Sequence, residues 1–182
     1  MISLARPLAT EEIRPIRYKI DWTKINLSLY LGGMVPVVYE KIADHMKLQI
    51  TEAERNTSTS WDGNYRMVKI KPQFIPCEEI QKCVKTLGYG RCKWVNFMYL
   101  PAGYELFTHA DKSRKCAINF VKDITANPFV FNGKSYGYDR FFFNCTVPHS
   151  VPVGTDRISM QLAFHDYEYD EIYEKLSKDG WV

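Results

Sequence analysis

Apolar and polar positions change their period partway along this chain, from mixed and helical spacing before Gly90 to alternation after it. Residues 1–34 read as an arm with short extended pieces. In it, Ile16-Arg17-Tyr18-Lys19-Ile20-Asp21-Trp22 alternates and predicts a strand at a sheet edge. Gly32-Gly33 breaks the arm. Val38, Ile42, Met46 and Ile50 then recur every four residues behind Pro36, which predicts a helix. A polar stretch from Arg55 to Asn64 reads as a loop, and Tyr65 to Ile70 as a short strand before Pro72 and Pro76. Glu78 to Leu87 is a second expected helix, with Ile80, Val84 and Leu87 on one face and Gly88 as its stop.

Strand patterns fill the rest. Arg91 to Leu100 sets Cys92, Trp94, Asn96, Met98 and Leu100 on one face and Val95, Phe97 and Tyr99 on the other. After the Pro101-Ala102-Gly103 turn, Glu105 to Asp111 places Phe107, His109 and Asp111 on one face. Lys112-Ser113-Arg114-Lys115 is a polar exit loop, and Cys116 to Lys122 is a further strand. Pro128 to Tyr136 reads as a hairpin around Asn132-Gly133. Asp139 to Cys145 is aromatic-rich. Along Asp156 to Phe164, Arg157, Ser159, Gln161 and Ala163 alternate with Ile158, Met160, Leu162 and Phe164, one face for an interior and one for helices. Tyr169 to Leu176 reads as a terminal helix. Strands following a helical half give an α+β class, a barrel or sandwich supported by helices.

Composition adds bounds. At 182 residues the chain suits one domain with a sizeable core. It is 46% hydrophobic and 25% charged, as soluble globular proteins are. No apolar run approaches the roughly 18 residues of a membrane span, and the first residues lack a signal peptide's apolar region. A net charge of +3 on scattered basic residues does not call for nucleic acid. The five cysteines (Cys77, Cys83, Cys92, Cys116, Cys145) form no CxxC pair and are odd in number, which argues against a disulfide framework and for a reduced, cytoplasmic setting.

The candidate chemistry sits between His109 and Ser159. His109 and Asp111, two apart on a strand, aim an imidazole and a carboxylate at one interior. Four His and 21 acidic residues make about half a chance HxD pair in a chain of this length, so the pair means little alone. Order and spacing make it specific. His149 follows Asp111 by 38 positions, and Arg157-Ile158-Ser159 begins eight positions later. Two His and one carboxylate form the facial triad of non-haem Fe(II) oxygenases. A buried Arg beside such a metal suits a carboxylate-bearing co-substrate. His165 competes with His149 but follows the last barrel strand and lacks the Arg-x-Ser. His45 reads as a helix-edge residue.

This series, over about Trp94 to Phe164, resembles the Fe(II)/2-oxoglutarate-dependent dioxygenases, most of all their prolyl-hydroxylase branch. In that branch a strand Tyr about ten residues before the first His touches the oxoglutarate; Tyr99 stands ten before His109. The resemblance implies a double-stranded β-helix (jelly-roll, cupin-like) spanning 1–182 as one domain. Its helical support would cover about 1–90, its core about 91–165, and a C-terminal helix about 168–178. It implies Fe(II) on His109, Asp111 and His149, with O2 as co-substrate. The 2-oxoglutarate would be held by Arg157, Ser159, Tyr99 and Asn119. The activity implied is hydroxylation of an unactivated C–H, on a prolyl or other amino-acid residue of a peptide or protein. The Arg55–Trp61 loop is similar to one near the substrate side of prolyl 4-hydroxylases. Related halogenases lack the carboxylate, which this chain keeps as Asp111. A nucleobase-demethylating relative would show a second Arg six residues after the first, where Ala163 stands. A non-catalytic metal-binding barrel is the third reading.

Overall fold

A computed structural model describes residues 11–25, 54–56, 66–70, 72, 77–88, 90–122 and 128–182, with the backbone alone at 54–56 and 66–70. The expected helix over 36–50, with His45, lies outside the described residues, as do Gly32-Gly33 and positions 57–64.

Two antiparallel sheets make the body. The strands are β1 (Ile13–Pro15), β2 (Glu54–Asn56), β3 (Arg66–Ile70), β4 (Trp94–Leu100), β5 (Leu106–His109), β6 (Cys116–Lys122), β7 (Phe129–Phe131), β8 (Lys134–Tyr136), β9 (Arg140–Asn144), β10 (His149–Val151) and β11 (Arg157–Phe164). The large sheet runs β1-β9-β6-β11-β4-β3-β2 and the small one β5-β10-β7-β8. Two sheets with few helices fit a jelly-roll, but neither sheet joins the other and the barrel is not closed.

The alternation along β4, β6, β9 and β11 decides how the layers stack. Val95, Phe97, Ile118, Phe120, Phe142, Met160, Leu162 and Phe164 form one buried cluster with the helices α1 (Glu78–Leu87) and α2 (Tyr169–Lys178). Leu100, Ala117, Val121, Phe141 and Phe143 point the other way, into a second cluster with Phe129, Phe131 and Val151 of the small sheet. Each fully buried Phe in these layers contributes roughly 1.5–3 kcal/mol. Phe142 stacks on Tyr169 with centroids 4.6 Å apart and so pins α2. In α1, Ile80, Cys83, Val84 and Leu87 are the buried face, and Gly88 closes the helix at φ 87°. All five cysteines are buried free thiols.

Two local expectations shift. The edge strand lies at Ile13–Pro15 rather than over Ile16–Trp22. Ile16 N still donates to Arg140 O, but Arg17 N turns to Trp181 O and pulls the chain off the sheet. Within the expected loop from Arg55, Glu54–Asn56 instead pairs with β3, because a strand neighbour satisfies backbone groups that polarity alone does not place. The described part of 1–90 supplies three strands and one α-helix. The hairpin turn is as read: Asn132 and Gly133 sit at φ 48° and 78°, the paired left-handed geometry that matches strand twist. Among the described residues no helix is long and apolar enough to cross a membrane.

Candidate metal centre

The register of β5 against β10 places His109 directly opposite His149. Their ring centroids stand 4.4 Å apart. Each ring is fixed in the same way: Nδ1–H of His109 donates to Phe107 O (2.7 Å) and that of His149 to Val147 O (2.8 Å). A bond to the carbonyl two residues back sets the tautomer and makes Nε2 the lone-pair nitrogen, the arrangement common to metal-binding histidines. His149 is 3% exposed, packed against Phe129 and Phe143. Burial is the main force lowering its pKa to about 4, partly countered by the bond to Val147. At neutral pH this imidazole is therefore uncharged and able to ligate.

Asp111 lies two residues past the end of β5 rather than within it. Its N–H donates to Cys145 O at 2.9 Å, which carries the carboxylate back toward the rings. His149 Nε2 is 3.8 Å from Asp111 Oδ2. One donor atom from each of His109, Asp111 and His149 lies within 4.8 Å of the others, and among the described residues this is the single His/Cys/Asp/Glu group so disposed. His165 is not part of it. Two imidazole nitrogens and one carboxylate suit a divalent first-row metal, and three protein donors leave further positions open.

Behind the triad is a residue that the sequence reading passed over as part of a polar loop. Arg114 donates to Asp111 Oδ2 through Nε (2.9 Å) and Nη2 (2.5 Å), and through Nη1 to Gln161 Oε1 on β11. Gln161 Oε1 also accepts from Asn96 Nδ2 on β4 (3.3 Å). One guanidinium thus ties the candidate metal carboxylate to the large sheet. The available signal was a cation three residues after the carboxylate. The buried Cys145 thiol borders the same pair; burial above all pushes it up to about 12, so it stays protonated. Such outer partners are typically worth 10–100-fold in metal affinity. Arg114→Met is expected to weaken Co(II) binding by about that factor, read by calorimetry, while Arg114→Lys recovers part of it.

The other expected site residues divide. Arg157 (6% exposed), Ser159 (5%) and Asn119 (5%) are buried on the inner face of the large sheet. In register, Arg157 faces Leu100, Ser159 faces Met98 and Gln161 faces Asn119. Tyr99 is placed elsewhere. It pairs with Ile158, packs on the helix-side cluster and donates its hydroxyl to Asp156 Oδ1 at 3.2 Å. Period-2 alternation puts it on the face away from Arg157 and Ser159, so the structure does not bring it to the expected co-substrate position.

No protein-family model matches the chain, and no curated protein matches it. Among solved structures, a predicted oxalate decarboxylase from Thermotoga maritima is 18% identical over 62% of this chain and 91% of that one, with a TM-score of 0.42. DMSP lyase from Ruegeria pomeroyi is 15% identical over 74% and 67%, at 0.44. A salicylate 1,2-dioxygenase from Pseudaminobacter salicylatoxidans is 23% identical over 46% of this chain and 23% of that one, at 0.34. Likeness of this order leaves the activity to be argued from the site itself.

Proposed function

We propose that the chain is an Fe(II)- and 2-oxoglutarate-dependent oxygenase that hydroxylates an unactivated C–H, on a prolyl or other amino-acid residue of a peptide. The observation that carries this reading is the pair of histidines locked through Nδ1 beside Asp111, donors within 4.8 Å, facing an inner sheet surface that buries Arg157 and Ser159.

His109, Asp111 and His149 would hold the iron. Once bound, the metal supplies the redox chemistry by which O2 and oxoglutarate are consumed and one oxygen is left on the substrate carbon. The chain's own part is orientation and exclusion of water. Arg157 offers a planar fork for the distal carboxylate of oxoglutarate, with the Ser159 hydroxyl beside it. Arg114 and Arg157 together give the interior two cations, which favours an anionic co-substrate. The phenylalanines of the inner cluster keep the neighbouring space apolar, and charge interactions strengthen where water is excluded. Ala163, on the same inner face, supplies no second cation for a nucleobase-demethylating site.

Incubation with iron, labelled oxoglutarate and a peptide library is expected to yield labelled succinate and a gain of one oxygen on a peptide by mass spectrometry. A gain confined to nucleosides, free amino acids or lipids would discard the peptide reading. A modified residue other than proline would discard proline. No succinate under any condition would leave the non-catalytic barrel.

A further inference from the structure

A cavity of about 300 Å³ lies where the N-terminal arm leaves the large sheet. The departure at Ile16 makes room for it. Ile16 N pairs with Arg140 O, but Arg17 N bonds to Trp181 O, and the chain passes β9 instead of running on along it. Lys19, Ile20 and Trp22 line the cavity from the arm. The half-buried Trp22 opens a 3₁₀ turn (Trp22–Lys24) whose first N–H groups are capped by the Asp21 carboxylate, which fixes the backbone that carries the indole. Phe120 and Val121, toward the C-terminal end of β6, give an apolar wall, and Asp139 and Arg140 a polar one. Arg140 is held in place: Nε–H donates to Ile16 O at 2.7 Å, and Nη1 donates to both Asp139 oxygens at 2.9 and 2.7 Å. The Asp139 carboxylate is thereby engaged. Arg140 Nη2 and Lys19 Nζ take part in no hydrogen bond among the described residues. The triad is held at the other end of β6, where Cys145 N donates to Lys115 O and Cys145 O accepts from Asp111 N. The five residues of strand from Cys116 to Val121 span about 17 Å. Neither the triad nor Arg157 lines the cavity.

We infer that this cavity is a second ligand site, separate from the metal centre, for a small monocarboxylate with an aromatic or branched apolar body. The volume is that of a small-molecule pocket, mostly apolar with a few polar groups to fix orientation. A carboxylate takes charge-assisted hydrogen bonds from Arg140 Nη2 and Lys19 Nζ. The apolar body lies against Trp22, Phe120 and Val121. Lys19 and Arg140 set against Asp139 leave one net positive charge, which suits a monoanion better than a dianion such as oxoglutarate. A ligand held by Lys19 and Trp22 on one side and Arg140 on the other ties the arm to β6 and β9, so binding stabilises the folded chain. No triad residue takes part, and the site does not depend on the oxygenase reading.

The test is a titration of the full chain, 15N-labelled at tryptophan, with phenylacetate, phenylacetamide and phenethylamine. The indole N–H resonances of the four tryptophans and the melting temperature are followed. Phenylacetate is expected to shift the resonance that Trp22→Phe removes and to raise the melting temperature. The amide, which has the same body without the charge, should bind at least about tenfold more weakly, and the amine should not bind. Lys19→Met is expected to weaken phenylacetate binding by about 2–5-fold, as loss of an exposed ion pair does, and Lys19→Glu by more. Lys19 is exposed, so both ligand-free variants should melt as wild type does. Arg157→Leu should bind phenylacetate unchanged. No shift of the Trp22 resonance, or unchanged affinity in Lys19→Glu, would overturn the site. Equal affinity for acid and amide, or tighter binding of the amine, would overturn the carboxylate assignment. Loss of phenylacetate binding in Arg157→Leu would move the ligand to the inner face of the sheet and overturn a separate site.

Discussion

His109→Ala, Asp111→Ala and His149→Ala are each expected to abolish turnover and to lower metal affinity by more than the roughly 10–100-fold that an outer partner is worth. Each removes one of three protein donors from the group within 4.8 Å. The variants should differ in stability, which separates loss of the metal from loss of the fold. Asp111→Ala leaves the Arg114 guanidinium without the carboxylate it grips through two nitrogens. A hydrogen bond to a charged group is worth about 1.5–3 kcal/mol, so this variant should melt lower even without metal. His149→Ala also opens space against Phe129 and Phe143, and His149→Gln is the milder companion. His109 is less buried and should cost the metal-free protein least. His165→Ala should change neither binding nor rate. Titration of Co(II) with calorimetric and absorbance readouts, beside melting curves, checks all of these. Full activity in any one triad variant would remove that residue from the set, and a dead His165→Ala beside a live His149→Ala would move the site.

Why the triad was legible in the sequence is plain from its geometry. The HxD spacing, the following His and the Arg-x-Ser are short-range patterns, and strand alternation converts each into a facing direction. Register did the rest: His109 opposite His149 is a consequence of the long-range pairing of β5 with β10, which no spacing rule supplies. The layer assignment of β11 was legible for the same reason, since Arg157, Ser159 and Gln161 alternate with Ile158, Met160 and Leu162. Tyr99 shows where the family spacing and the alternation disagree. Ten residues before His109 matched the prolyl-hydroxylase pattern, yet its own strand sets it with Val95 and Phe97, on the helix side. Here the alternation prevailed. Arg114 was illegible because its role depends on Gln161, 47 positions away, being delivered beneath the loop by the order β4-β11-β6.

Arg157→Leu is expected to leave metal binding intact and to raise the oxoglutarate concentration needed for a given rate by about 10²–10³ or more. Arg157 is 6% exposed at the start of β11, on the inner face with Ser159, and pairs in register with Leu100. If its guanidinium receives the distal carboxylate of oxoglutarate, the Leu variant buries that carboxylate without a counter-charge. Breaking such a pair costs roughly 3–5 kcal/mol, which sets the factor. Leucine is close enough in apolar volume to keep the sheet packed, so the melting temperature should move far less than the affinity. Ser159→Ala should act in the same direction but more weakly, since one hydrogen bond is worth about 0.5–1.5 kcal/mol. Arg114→Met is the internal control: it should weaken the metal first and oxoglutarate only through the metal. Oxoglutarate titrations on the three variants, with metal occupancy measured in each sample, separate these effects. If Arg157→Leu holds oxoglutarate as wild type does while Arg114→Met loses it at full metal occupancy, the carboxylate anchor is Arg114, and the co-substrate enters from the loop side of the site. If neither variant changes it, the site is a metal centre without oxoglutarate.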